Sequence, residues 1–167
     1  DQAALHTFIQ NYASKNKNFA IALKARFASV VEFSDNKEKY LQLLDAVIKQ
    51  SRKKDRTLSF HGERKLMKVA DELFQQAELA LDQRHYVTVR LIAESVIEKF
   101  TPIIRKSYHP SNMVGLVKEA FQLLHKLLKA PVAPTVLEDL WEYAIKEVKK
   151  ITYKINEITP HFYHLLI

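Results

Sequence analysis

Across residues 62–108 the apolar side chains recur every three or four positions, and no other feature constrains the fold as strongly. Leu66, Val69, Ala70, Leu73, Phe74, Ala77, Ala80 and Leu81 fall on one side of a helix. Val89, Ile92, Ala93, Val96, Ile97, Phe100, Ile103 and Ile104 fall on one side of the next. The connecting DQRHY is short and polar, which suits antiparallel neighbours. Small alanines on both stripes let the two backbones approach closely. The stretch predicts a helical hairpin, and with it an all-α chain.

The flanking segments bring the expectation to about seven helices in antiparallel pairs, closing as a bundle or stacking as helical hairpins. The first covers residues 2–13, with Leu5, Phe8, Ile9 and Tyr12 on its apolar face. SKNKN interrupts it, and Asn16 or Asn18 can cap a second helix over 19–33, lined by Phe19, Ala20, Leu23, Phe27, Val30 and Val31. Asp35 with Glu38 resembles a capping box before a third helix over 37–51, which buries Tyr40, Leu41, Leu44, Val47 and Ile48. RKKDRTLSFH is the longest internal loop and the expected hinge. It divides a single domain, 1–167, into N-terminal helices (1–56) and the remainder (61–167).

After the hairpin, Pro110 cannot continue a helix, whereas Ser111 or Asn112 can start one over 112–129. That helix buries Met113, Leu116, Val117, Ala120, Phe121, Leu124, Leu127 and Leu128 until APVAP stops it. Thr135 and Glu138 form a capping box for a last long helix. Its stripe of Leu137, Trp141, Ala144, Val148, Ile151, Ile155, Ile158, Phe162 and Leu165 is heptad-like and is read as core-facing. Pro160 should kink or end this helix near Ile158, and the apolar tail HFYHLLI docks on the core or contacts something outside it.

Composition removes several function classes. With only Gly62 and Gly115 as glycines, tight hairpins and phosphate-cradling loops are disfavoured. The absence of cysteine rules out disulfides and Cys-based zinc sites, and is compatible with a cytoplasmic location. No apolar run reaches the roughly 20 residues of a membrane span. The chain begins at Asp1 rather than Met, so it is expected to be a fragment of a larger protein. The net charge of +7 is uneven: residues 1–60 hold 11 Lys/Arg against 6 Asp/Glu, and the rest is nearly balanced.

Two resemblances follow. Ala77, Ala80, Tyr86, Val89, Ala93, Val96 and Pro102 fall near the small, aromatic and terminal-proline positions of a tetratricopeptide unit. Arg84 stands where that repeat has its turn glycine, Ala93 stands where it has an aromatic, and there is no second copy. The stretch FIQNYASKNKNFAIALKARF resembles the helix, Asn-containing break, Phe, Ala-Leu, Arg-Phe element of helical regions that accompany SWIM-type zinc-finger domains in bacterial proteins. A paired-helix segment over 71–100 and then MVGLVKEAFQLL extend that resemblance across most of residues 5–128. It implies the helical companion of the zinc module, with zinc and any DNA contact by the finger lying outside this chain.

The sharpest site candidate is KQSRKKDR. Lys49, Arg52, Lys53, Lys54 and Arg56 could pair with phosphates in a salt-sensitive, sequence-independent way. The competing reading is that cations are favoured at a helix C-terminus and on a solvated loop. Phe60 is the aromatic nearest in sequence. His161 and His164 are three apart, but no carboxylate lies at matching spacing for a metal. Glu138, Asp139 and Glu142 sit at a helix N-terminus, where anions are favoured, beside Trp141, which is expected in the core. No nucleophile elbow, Walker loop or dinucleotide fingerprint occurs, so no catalytic, cofactor or metal residues are assigned. The expectation is a non-catalytic helical protein-interaction or scaffold module of a larger protein, with an unidentified protein partner. The alternative is a nucleic-acid-binding domain using residues 49–56.

Overall fold

The computed structural model describes residues 1–27 and 36–167. It is all-α, with nine α-helices and no strand among the described residues. They are α1 (Gln2–Lys15), α2 (Lys17–Phe27), α3 (Lys37–Ser51), α4 (Phe60–Asp82), α5 (Tyr86–Phe100), α6 (Pro110–Leu128), α7 (Pro134–Glu147), α8 (Ile151–Ile155) and α9 (Thr159–Leu166). A 3-10 segment, Thr101–Lys106, follows α5 directly. The expected lining residues Val30 and Val31, and the expected cap Asp35, lie outside the described residues.

Helix α5 occupies the centre, because α3, α4, α6 and α7 all pack against it. Every residue from Leu91 to Ile97 is buried, including the polar Glu94 and Ser95, so the helix is enclosed around its full circumference rather than along a stripe. The α4–α5 hairpin forms as expected, with Leu66, Leu73, Ala77, Val89, Ile92 and Ile97 fully buried. Its connection is a Schellman turn: His85 N–H donates to Ala80 O (2.7 Å) and Arg84 N–H to Leu81 O (3.1 Å). Arg84 takes the left-handed position (φ 63°) that a glycine would ordinarily fill.

Helix α3 has the expected bounds and is capped by Asn36, whose side chain accepts from Glu38 N–H (3.0 Å). It packs on both α4 and α5. The loop after it is tied down: Leu58 is buried, and its N–H donates to Lys106 O (2.8 Å). Gly62, in the first turn of α4, lies against the end of α3. A Cβ added there would collide with the Ser51 carbonyl oxygen and stand 2.9 Å from Ser51 Cβ.

Three expectations are corrected. Helix α6 begins at Pro110, not at Ser111 or Asn112, because proline at the first helical position needs no N–H partner and already has the helical φ. The same holds for α7: Ala133 and Pro134 start it, and Thr135 with Glu138 forms no capping box. The expected last long helix is three. It ends after Glu147, restarts as α8, and stops in a second Schellman turn where Ile158 N–H donates to Tyr153 O (2.8 Å) and Glu157 is left-handed (φ 60°). Of the expected stripe, Ala144, Ile158, Phe162 and Leu165 are buried as expected, but the buried face of α7 already runs through Leu140 and Tyr143 instead of Trp141. Trp141, Ile151 and Ile155 are exposed, while Leu140, Tyr143, Tyr153, Phe162 and Leu165 are buried. The tail docks: Phe162 packs edge-on against Phe121 and Tyr153, with ring centroids 5.0 and 4.7 Å away.

Two substitutions test these joints. Gly62→Ala should destabilise by about 1–3 kcal/mol, since the backbone of α3 must move. Glu157→Gly should stabilise by about 0.5–1 kcal/mol through relief of a left-handed side-chain conformation. Urea unfolding of both variants checks the opposite signs.

Candidate functional site

Three groups of polar side chains stand out as candidate sites. The first is the basic segment. Lys49 lies in the last turn of α3, and Arg52 is its C-cap. Lys53, Lys54 and Arg56 continue past the helix on a reverse turn in which Arg56 N–H donates to Lys53 O (3.0 Å) and Lys53 N–H to Thr57 O (2.8 Å). Asp55 holds the turn by accepting from Thr57 N–H (3.0 Å) and Thr57 Oγ1 (2.7 Å), and these bonds keep its carboxyl below the usual range. All five cations are exposed. Among the described residues none of them makes a salt bridge.

The fold brings other residues to this turn. Arg52 pairs with Leu58 as an isolated antiparallel bridge, and Leu58 in turn bonds Lys106. Two residues beyond each of these, Phe60 and Tyr108 meet edge to face at 5.8 Å, and His109 stands against both rings at 6.1 and 4.6 Å. Phe60 is 51% exposed and Tyr108 59%. Arg64 lies over the Phe60 ring at 5.8 Å. Beneath them Glu63, almost fully buried, accepts from His109 N–H (2.8 Å) and Asn112 Nδ2 (2.7 Å). Phe60 was the sole aromatic that sequence proximity offered, with Arg64 one turn along α4; Tyr108, His109 and Lys106 arrive only through tertiary contact.

The second group is a buried ionic network. Glu94, 2% exposed on α5, accepts from Lys37 (2.8 Å) and Arg90 (3.1 Å). Lys37 also reaches Glu98, and Arg90 reaches Asp139 of α7 (2.8 Å). Burial holds the Glu94 carboxyl above its ordinary range, and the two cations only partly offset this. Every charge here has a structural partner on a neighbouring helix, so the network joins α3, α5 and α7 rather than presenting a reactive group. Asp139 serves it; Glu138 and Glu142 remain exposed.

The third group is the histidines. His161 stacks on Phe121 at 5.2 Å, and its pKa is lowered by burial and by Lys118, His164 and His125. His164 is exposed. Among the described residues no three His, Asp or Glu side chains are grouped so as to hold a metal, and no helix is long and apolar enough to cross a membrane.

Comparison with known proteins found no matching family model, no matching curated protein and no matching solved structure.

Glu94 yields a pH prediction. Its folded-state pKa lies above the unfolded one, so its contribution to stability is present at low pH and lost as pH rises through the folded value. The stability of wild type relative to Glu94→Gln should therefore fall in urea titrations as pH rises above the ordinary glutamate range, about pH 4. A difference that grows with pH would mean that Lys37 and Arg90 outweigh burial.

Proposed function

We propose that this chain is a non-catalytic helical interaction module whose N-terminal helix docks in an apolar groove of a protein partner. One observation carries the reading. Helix α1 buries none of its residues, although Leu5, Phe8 and Tyr12 are apolar and are 59%, 64% and 46% exposed. With Ile9 they occupy i, i+3, i+4 and i+7, the spacing by which an amphipathic helix anchors in a partner's groove. The helix packs chiefly on α2, where Tyr12 meets Phe19 edge-on at 4.9 Å. A helix of this length gains little from its own hydrogen bonds in water, so an unburied apolar face leaves it without its usual source of stability.

The resemblance of α4–α5 to a tetratricopeptide unit, and of residues 5–128 to the helical companions of SWIM-type zinc fingers, supports an accessory role in a larger protein.

The test is Leu5→Asp with Phe8→Asp. Because neither side chain is buried, folding stability should change by no more than about 0.5 kcal/mol per site. Affinity capture from source-cell extract should recover a protein on wild type that is lost on the double variant. Identical recovery on both would overturn the reading. Concentration-dependent self-association abolished by the same changes would reassign the face to a second copy of this chain.

A further inference from the structure

The geometry points to a binding site for single-stranded nucleic acid at the corner where the 52–58 turn, the start of α4 and the segment before α6 converge. Phosphates would pair with the cations of the turn and with Lys106, and bases would stack on Phe60 and Tyr108.

Position decides first. Attraction to a helix C-terminus accounts for Lys49 and Arg52, which lie in or at the end of α3. It does not account for Lys53, Lys54 and Arg56, which stand beyond the cap. Arg56 also holds a left-handed backbone (φ 66°), so a cation occupies the position where glycine would be easiest.

A further cation and two rings lie alongside. The bond from Leu58 N–H to the Lys106 carbonyl brings the backbone of an exposed lysine to the turn and sets the two exposed rings immediately beyond it. Phe60 is four residues from Arg56, no more than about 14 Å of extended chain. One strand can therefore reach both features. Alternating cations and exposed rings is the pattern by which proteins hold unpaired strands, phosphates in the charged groove and bases on the rings. A duplex keeps its base faces stacked and hidden, so rings add nothing to duplex binding.

The corner is also supported from below. Glu63 fixes the backbone of His109 and the side chain of Asn112, so the Tyr108–His109 step is held against α4 before any ligand arrives. The one carboxylate on the turn, Asp55, is engaged by Thr57.

Fluorescence anisotropy tests the site with labelled oligothymidylate, oligouridylate and a duplex, each of roughly 16 nucleotides or base pairs, on the full chain. At physiological salt the single strands should bind with Kd of about 1–100 µM, and more tightly than the duplex. Replacing Arg52, Lys53, Lys54 and Arg56 together by Ala should reduce the slope of log K against log salt by about 2–3. Phe60→Leu with Tyr108→Leu should weaken single-strand binding by about 10-fold and leave that slope unchanged. Phe60→Trp adds a readout that does not depend on loss of a ring: its fluorescence should be quenched as the oligonucleotide saturates the site. The proposal is overturned if neither single strand saturates. It is equally overturned if the duplex binds as well and the ring variants match wild type. Binding to phosphatidylserine vesicles through the same cations, without oligonucleotide binding, would assign the corner to a membrane surface instead.

Discussion

Enclosure of α5 is the constraint on which the rest of the molecule depends. A helix buried around its whole circumference needs neighbours on every side, and α3, α4, α6 and α7 supply them. Enclosure also captures polar groups. Ser95 and Thr101 are satisfied within their own chain segment by the Leu91 and Ile97 carbonyls, each at 2.7 Å. Glu94 cannot be satisfied that way. It draws Lys37 from α3 and turns Arg90 toward it, and Arg90 then reaches Asp139 on α7. An unpaired carboxylate at this depth would cost several kcal/mol, so the position of α3 and α7 around α5 is coupled to the protonation and pairing of one side chain.

A second joint lies at the other end of α3. Gly62 lets the first turn of α4 rest on the Ser51 carbonyl, and the next residue, Glu63, reaches across to the start of α6. Two adjacent residues thus set three helix termini relative to one another. The polar turn after α3 is closed from the same place, through Leu58 and Lys106. The corner is therefore a product of how the helices meet, with its side chains drawn from residues 49–64 and 105–109.

Much of the fold was legible, and the failures share a cause. The bounds of α3 and the stripes of α4 and α5 followed from periodicity because those segments are long and amphipathic. Helix starts were misjudged at Pro110 and Pro134, where proline itself opens the helix and the side-chain caps named for Asn112 and Thr135 are not used. Asn112 instead bonds Glu63. The break near Ile158 was marked in advance by Pro160, but the earlier one after Glu147 was not, because no proline or glycine stands there. Leu91 was the missed sign that α5 is enclosed, since it falls off the stripe and is still apolar. The basic segment was visible in composition. Its aromatic neighbours were not, because Phe60 and Tyr108 are 48 residues apart and meet only through packing.

Some cations of this chain are paired across helix interfaces, and among the described residues those of the turn after α3 are not. Lys37, Arg90, Lys99 and Lys126 each contact a carboxylate across a helix interface, at sites where the fold gains from the pairing. Those of the 52–56 turn have no such partner among the described residues, although Asp55 is within the same turn. Placing several like charges together raises the electrostatic energy of the free chain, modestly at physiological salt, and no packing gain offsets it. The same charges lower their energy when an anion of matching spacing is present. The proposed site therefore rests on an exposed cluster held on a hydrogen-bonded turn beside two exposed rings, where an anion of matching spacing would lower the energy of the cluster.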